Sequence, residues 1–132
     1  MKFRQLLDAD KPEAGSFEQR VMLGHRGWNR PVVVVTEGYA GDYAFNNPRY
    51  MEELTKIMDA NILFVEYRYF SESTPTPCNW EHLTIENSMV DYHNIITAFK
   101  KYYTAKWATT GISKGGSTSM FFRAYYPDDV DV

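Results

Sequence analysis

The residues best suited to catalysis lie in one short stretch towards the carboxyl end of the 132-residue chain. The segment Gly111-Ile-Ser-Lys-Gly115 places a serine between two glycines, each two positions away. This spacing is typical of a nucleophile elbow, a sharp turn between a strand and a helix that exposes a serine hydroxyl. Glycines are needed there because the strand and the helix approach too closely for a Cβ atom. We therefore predict that Ser113 is a nucleophile that attacks an acyl carbon.

A serine nucleophile also needs hydrogen-bond donors for the oxyanion that forms during attack. The backbone amide of Lys114, the residue after the nucleophile, is the first expected donor. The second should come from a loop after a neighbouring core strand, and Glu37-Gly38-Tyr39 follows the β-branched run from Val32 to Thr36. The sequence therefore predicts an oxyanion hole formed by the backbone of Gly38, Tyr39 and Lys114.

The same stretch has other possible interpretations. Gly111 to Gly116 has the glycine spacing of a phosphate-binding loop, but Ser117 stands where that loop requires lysine. A Ser-Lys dyad needs S-x-x-K spacing, which is absent here, so we expect the Lys114 side chain to be solvated. An ordinary tight turn remains the alternative explanation for Ser113, and an ordinary turn glycine for Gly38.

A catalytic triad also needs an acid and a histidine, and in chains with this elbow both follow the serine. The chain has three histidines, and all of them precede the elbow: His25, His82 and His93. Three aspartates follow the elbow helix too closely to be the triad acid: Asp128, Asp129 and Asp131. We therefore expect the acid and the base to lie outside residues 1–132, which would form the N-terminal portion of a single larger catalytic domain.

Hydrophobic patterns predict the elements that position these residues. Strands are predicted at 16–23, 32–36, 61–66 and 106–110, with the start of another at 129–132. Helices are predicted from Asn47-Pro48, from Thr84, and from the elbow to about Tyr126. Strands that alternate with helices indicate an α/β fold with a mainly parallel, doubly wound sheet. Active sites in such sheets lie at the carboxyl ends of the strands, where Gly38 and Ser113 are both predicted.

The composition excludes several classes of function. The net charge is -3 and no basic block occurs, which argues against a nucleic-acid partner. Cys78 is the only cysteine, so neither an internal disulfide nor a cysteine-based zinc site is expected, and we predict no cofactor. No apolar run is long enough to span a membrane, and the first ten residues do not resemble a signal peptide.

Taken together, these motifs resemble the PS-10 peptidases, family S37, which are related to the S28 group of prolyl carboxypeptidase and dipeptidyl peptidase. Five segments carry the resemblance and occur in the expected order: Gly15 to Arg20, Thr36 to Tyr39, Glu66 to Ser73, Trp80 to Thr84 and Gly111 to Gly116. The resemblance extends over nearly the whole chain. Its most specific parts are the Ser-Lys-Gly-Gly of the elbow and the Glu-Gly-Tyr turn.

The resemblance implies an incomplete α/β-hydrolase fold that ends after the nucleophile elbow and its helix. It implies an exported, periplasmic or secreted, serine exopeptidase that removes tri- or tetrapeptides, often ending in proline, from free N-termini. Ser113 would be the nucleophile, with Gly38, Tyr39 and Lys114 at the oxyanion region. The rest of the catalytic domain would supply the acid, the histidine and a helical cap.

Glu37 supports a further hypothesis, because it precedes the predicted oxyanion turn. Its carboxylate could hold the ammonium group of a substrate's N-terminus. The alternative is a structural acid paired with Arg68 or another cation. Two other functions also remain open: an esterase or lipase on the same fold, and a non-catalytic module that binds a peptide or a partner.

Overall fold

The computed structural model describes residues 1–132, and a five-stranded sheet forms its centre. The strands are β1 (Lys2–Leu6), β2 (Ser16–Gly24), β3 (Val32–Thr36), β4 (Asn61–Val65) and β5 (Trp107–Thr110). They lie in the order β1-β2-β4-β3-β5. The first two pairings are antiparallel, whereas β3 runs parallel to both β4 and β5. The carboxyl ends of β3, β4 and β5 therefore meet at one edge of the sheet.

Four α-helices accompany the sheet: α1 (Asp42–Phe45), α2 (Glu53–Ile57), α3 (Ile85–Lys100) and α4 (Lys114–Tyr125). Three short 3-10 helices lie in the connecting segments, at Pro12–Ala14, Ser71–Ser73 and Trp80–His82. The predicted cap of α3 is present, because the Thr84 hydroxyl accepts a hydrogen bond from the Asn87 amide at 3.1 Å. The predicted helix start at Asn47-Pro48 is wrong. The Asn47 side chain accepts instead from the Arg49 amide at 3.0 Å, a local turn that competes with a helix N-cap.

Both faces of the sheet are covered. A large apolar cluster includes Val34, Leu63 and Phe122 and extends to α3 and α4. A smaller cluster on Val35 and Phe64 includes Ala44 of α1. Every residue of β3 and β4 is buried, which explains their continuous apolar sequences and confirms the doubly wound arrangement.

The edge of β5 contacts the last residues of the chain. The amides of Asp131 and Val132 donate to the Trp107 carbonyl at 2.8 and 3.3 Å, and the Thr109 amide donates to the Val132 carbonyl at 2.9 Å. The predicted start of another strand thus lies beside β5, although it is too short to be a regular strand. None of the helices has the length and apolar character that crossing a bilayer requires.

A buried arginine joins the early and late parts of the fold. Arg68, only 1% exposed, donates two hydrogen bonds to the Asp91 carboxylate, at 2.7 and 2.8 Å. It also donates to the carbonyls of Leu6, Leu7 and His82 at 2.7 to 3.0 Å. Burial raises the pKa of Asp91 to about 6, and the hydrogen bonds from Arg68 oppose that rise. The guanidinium thereby fixes the end of β1 against the sheet and α3.

Candidate active site

Ser113 occupies a strained turn between β5 and α4. Its backbone has φ 55° and ψ -120°, a conformation that few residues other than glycine adopt. The residue is exposed at the carboxyl edge of the sheet, immediately before the first turn of α4. The structure therefore places the predicted nucleophile at the apex of a strand–turn–helix, as an elbow requires.

The two glycines of the elbow are sterically required. A Cβ atom on Gly111 would lie 2.3 Å from the carbonyl carbon of Gly115, and one on Gly115 would lie 2.3 Å from the Thr36 carbonyl oxygen. The Thr36 hydroxyl adds a polar contact from β3, since it lies 2.8 Å from the Gly115 carbonyl oxygen. The elbow is therefore packed directly against the end of β3.

The Glu37-Gly38-Tyr39 loop touches the start of α4. A Cβ atom on Gly38 would lie 2.7 Å from the Cβ of Lys114 and 2.8 Å from the Gly115 nitrogen. The Lys114 amide, at the first position of the helix, donates no hydrogen bond within the chain. The structure thus brings the two predicted oxyanion segments into contact beside the serine.

Glu37 folds back over its own loop. One carboxylate oxygen accepts hydrogen bonds from the amides of Gly38 at 2.8 Å and Tyr39 at 3.2 Å. The other oxygen accepts from the hydroxyl of Tyr43. Arg68 is not its partner, because that guanidinium is paired with Asp91, and no lysine or arginine lies within ion-pair distance of Glu37.

The Lys114 side chain is not solvated, so that expectation is wrong. Its ammonium nitrogen is buried without a hydrogen-bond partner and lies 3.2 Å from the centroid of the Tyr67 ring. The rings of Tyr39 and Phe70 follow at 5.5 and 5.7 Å. Burial lowers the pKa of Lys114, and the Glu37 carboxylate opposes that shift.

A cleft of about 280 Å³ opens beside the serine. Its polar and aromatic lining includes Glu37, Tyr39, Tyr43, Tyr50, Glu52 and Ser113. Burial raises the pKa values of Tyr43 and Tyr50, and the hydrogen bond to Glu37 adds to the rise at Tyr43. Both phenols therefore stay neutral near pH 7. Two carboxylates among neutral aromatic rings make this cleft suited to a cationic group.

Three of the cleft residues were missed by sequence reasoning: Tyr43, Tyr50 and Glu52. The last two fall within the segment that was predicted to be helical from Asn47. The turn at Asn47 delays the helix until Glu53 and places both residues at the rim of the cleft. The density of tyrosines near the Glu-Gly-Tyr turn was the signal in the sequence that could have identified them.

The histidines make contacts away from the serine. The Nδ1 atom of His93 lies 2.6 Å from a carboxylate oxygen of Asp129, and that of His25 lies 2.8 Å from the Tyr103 hydroxyl. His82 lies near the carboxylates of Asp8 and Glu81. None is hydrogen-bonded to Ser113, and no group of three histidine, cysteine or acidic side chains is arranged to hold a metal.

Comparison with known proteins identifies a family of peptidases to which the chain is similar. The family model described as PS-10 peptidase S37 matches residues 1–132. The chain is 40% identical to prolyl tri/tetrapeptidyl aminopeptidase of Streptomyces mobaraensis over 99% of its own length and 27% of that protein. It is 27% identical to lysosomal Pro-X carboxypeptidase of Homo sapiens over 85% of its length and 26% of that protein. The chain thus spans about a quarter of the length of the curated relatives it matches.

The fold also matches a solved structure. A ferulic acid complex of Est1E from Butyrivibrio proteoclasticus superimposes with a TM-score of 0.65, covering 86% of this chain and 46% of that one. The sequence identity of 15% restricts this likeness to the fold. The architecture of residues 1–132 is that of an incomplete α/β-hydrolase, as the sequence predicted.

Proposed function

The chain belongs to the PS-10 peptidase S37 family, and we propose that the protein it represents is a serine peptidase that removes tri- and tetrapeptides from free N-termini. The observation that carries the proposal is the exposed Ser113 in a strained elbow, beside a helix amide that has no partner. The relatives named above are peptidases, which favours peptide over ester substrates.

The proposed reaction proceeds through an acyl-enzyme. The Ser113 oxygen attacks the scissile carbonyl carbon while its proton passes to a histidine. The oxyanion accepts a hydrogen bond from the Lys114 amide and a second from the Gly38-Tyr39 loop. The loop amides donate to Glu37 in this structure, so they must release that carboxylate before they can serve the oxyanion. The amine leaves with the proton, and water then hydrolyses the ester.

The triad histidine and acid are proposed to lie outside residues 1–132. Within these residues, no histidine contacts the serine, and two of the three aspartates after α4 have other partners: Asp129 pairs with His93, and Asp131 with Lys106. A serine without a base attacks poorly. Residues 1–132 alone are therefore expected to be inactive.

Recognition of a free N-terminus is assigned to Glu37. Its carboxylate lies in the cleft beside the nucleophile and lacks a cationic partner. A substrate ammonium could replace the backbone amides as its hydrogen-bond donor, with the neutral rings of Tyr43 and Tyr50 nearby. The distance from this carboxylate to Ser113 would then limit how many residues precede the cleaved bond.

Export across a membrane is part of the proposal. It rests on the family and on the lysosomal location in the name of the human relative. Fractionation of cells that produce the protein tests it, and recovery only from the cytosolic fraction would contradict it.

The specificity is tested by incubating the whole protein with peptides that carry proline at the third or fourth position. Matched sets should have free and acetylated N-termini, and the products should be identified by mass spectrometry. We expect tri- and tetrapeptides to appear only from the free set. Release of single C-terminal residues, or cleavage of acetylated peptides at the same rate, would contradict the proposal.

Replacing Glu37 by glutamine should weaken hydrolysis of free peptides about ten- to a hundred-fold. A charge-assisted hydrogen bond contributes about 1.5–3 kcal/mol, and each 1.4 kcal/mol is about tenfold in rate. The measurement is kcat/KM on free and acetylated versions of one peptide. Glu53→Gln, an exposed carboxylate in the first turn of α2, is the matched control and should change neither value. Equal losses on both peptides would show that Glu37 is structural.

A further inference from the structure

Three aromatic rings surround the ammonium group of Lys114, and we call this arrangement the lysine cage. The rings belong to Tyr39, in the loop after β3, and to Tyr67 and Phe70, in the segment after β4. The lysine itself is the first residue of α4. The cage thus joins three separate segments at the carboxyl edge of the sheet, beside the nucleophile.

The ammonium is held by ring faces rather than by hydrogen bonds. Its nitrogen is buried and unpartnered, and it lies 3.2 Å from the centroid of the Tyr67 ring. A charge removed from water without compensation is unfavourable, and the electron-rich face of an aromatic ring supplies compensation. The rings also contact one another, with the Tyr39 and Phe70 centroids 5.4 Å apart. The position of the charge therefore fixes the position of the rings.

The lysine cage contacts the Gly38-Tyr39 loop, which is proposed to donate a hydrogen bond to the oxyanion. Gly38 packs on the lysine stem, with only 2.7 Å between its potential Cβ position and the Cβ of Lys114. The next residue, Tyr39, extends its ring over the ammonium. Movement of the loop away from α4 would break both contacts. The same lysine also carries the helix amide that is proposed to bind the oxyanion.

We propose that Lys114 is a positioning residue whose caged ammonium holds the Gly38-Tyr39 loop against the start of α4, so that both oxyanion donors keep their places. This inference rests on the proposed peptidase function. The lysine side chain does not touch the substrate in this account. It fixes the backbone that does, so its loss should affect the transition state more than substrate binding.

The principal test is Lys114→Met in the whole protein, because methionine keeps an unbranched side chain of nearly the same length and removes its charge. We expect kcat to fall about ten- to thirty-fold, on the scale of a desolvated cation–π contact, while KM changes less than about twofold. A role in packing alone would lower the amount of folded enzyme and leave kcat per folded molecule unchanged. Circular dichroism and titration of active sites provide the folded fraction.

Substitutions of the cage tyrosines by phenylalanine or leucine provide a matched comparison, because only phenylalanine keeps the aromatic face. Tyr67→Phe keeps the aromatic face and should retain most of the activity that Tyr67→Leu loses. The double variant Lys114→Met/Tyr67→Leu should lose no more than the larger single loss, because both substitutions remove one interaction. If Lys114→Met does not fold, Tyr39→Phe and Tyr39→Leu provide the same comparison at a ring that is 53% exposed.

Two results would contradict the proposed role of the cage. One is a Lys114→Met enzyme with kcat within twofold of the parent. The other is equal kcat values for the phenylalanine and leucine variants of either tyrosine. The activity of Ser113→Ala shows whether the cage proposal alone is wrong or the proposed peptidase function is wrong as well. If Ser113→Ala remains active, the proposed function fails and the cage fails with it. If Ser113→Ala is inactive and Lys114→Met is fully active, only the cage is wrong.

Discussion

Replacement of Ser113 by alanine is expected to lower kcat for peptide hydrolysis by about 10⁴- to 10⁶-fold in the whole protein. This is the range for loss of one triad member from a serine protease, because the remaining members act only through the nucleophile. The elbow geometry supports the expectation, since φ 55° is retained at a non-glycine residue directly before α4. The measurement is the rate of release of a tripeptide from a chromogenic substrate.

Ser117→Ala is the matched control for this prediction. Ser117 is exposed one turn further along α4, and its hydroxyl has no hydrogen-bond partner in the chain. We expect this variant to keep the parental kcat. If both variants lose activity equally, the loss reflects damage to α4, and if neither loses activity, Ser113 is not the nucleophile.

Replacement of Arg68 by methionine is expected to reduce the free energy of unfolding by about 3–5 kcal/mol. Removing one partner of a buried ion pair destabilises a protein by this amount, because the other charge stays buried without a partner. Three carbonyls would also lose the hydrogen bonds that Arg68 donates to them. Whole domains are stable by only about 5–15 kcal/mol, so the variant should denature at a clearly lower urea concentration.

The control for Arg68 is Arg26→Met. Arg26 forms an exposed ion pair with Asp59, at 3.0 Å, with both side chains about half exposed. Such surface pairs contribute at most about 1 kcal/mol. Equal destabilisation by the two variants would show that burial of the Arg68 pair has no special importance.

The loss in free energy of unfolding caused by Arg68→Met should depend on pH. Burial raises the pKa of Asp91 to about 6, above the ordinary value of 3.8, while Arg68 opposes the rise. Without Arg68 the pKa of folded Asp91 should rise further. A raised pKa in the folded state favours the protonated carboxyl, so stability from this group is present at low pH and lost as pH increases through that pKa. The variant should therefore lose more stability than the parent between about pH 6 and pH 8.

The elbow could be predicted from the sequence because it depends on neighbours along the chain. Position 113 has a left-handed backbone, and positions 111 and 115 have no room for a Cβ atom. The residue types and their spacing are therefore sufficient to predict the turn. The buried strands β3 and β4 were predictable for a similar reason. Their unbroken apolar runs are compatible only with cover on both faces.

The lysine cage could not be predicted in this way. Tyr67 and Phe70 lie more than forty residues before Lys114 in the chain. They meet it because β4 and β5 both run parallel to β3, so that the carboxyl ends of the three strands lie together. Strand β1 was missed because its pattern is weakly apolar. Its Gln5 side chain is instead buried through hydrogen bonds to the Gln19 side chain and to the Asp91 carbonyl, partners distant in sequence.

The central claim is that Ser113 is the nucleophile of a serine peptidase, and covalent labelling of the whole protein with a fluorophosphonate tests it most directly. After digestion, mass spectrometry should find the adduct on Ser113 alone, with labelling lost in Ser113→Ala and kept in Ser117→Ala. An adduct on a different serine, or peptide hydrolysis that persists with Ser113 unlabelled, would contradict the account.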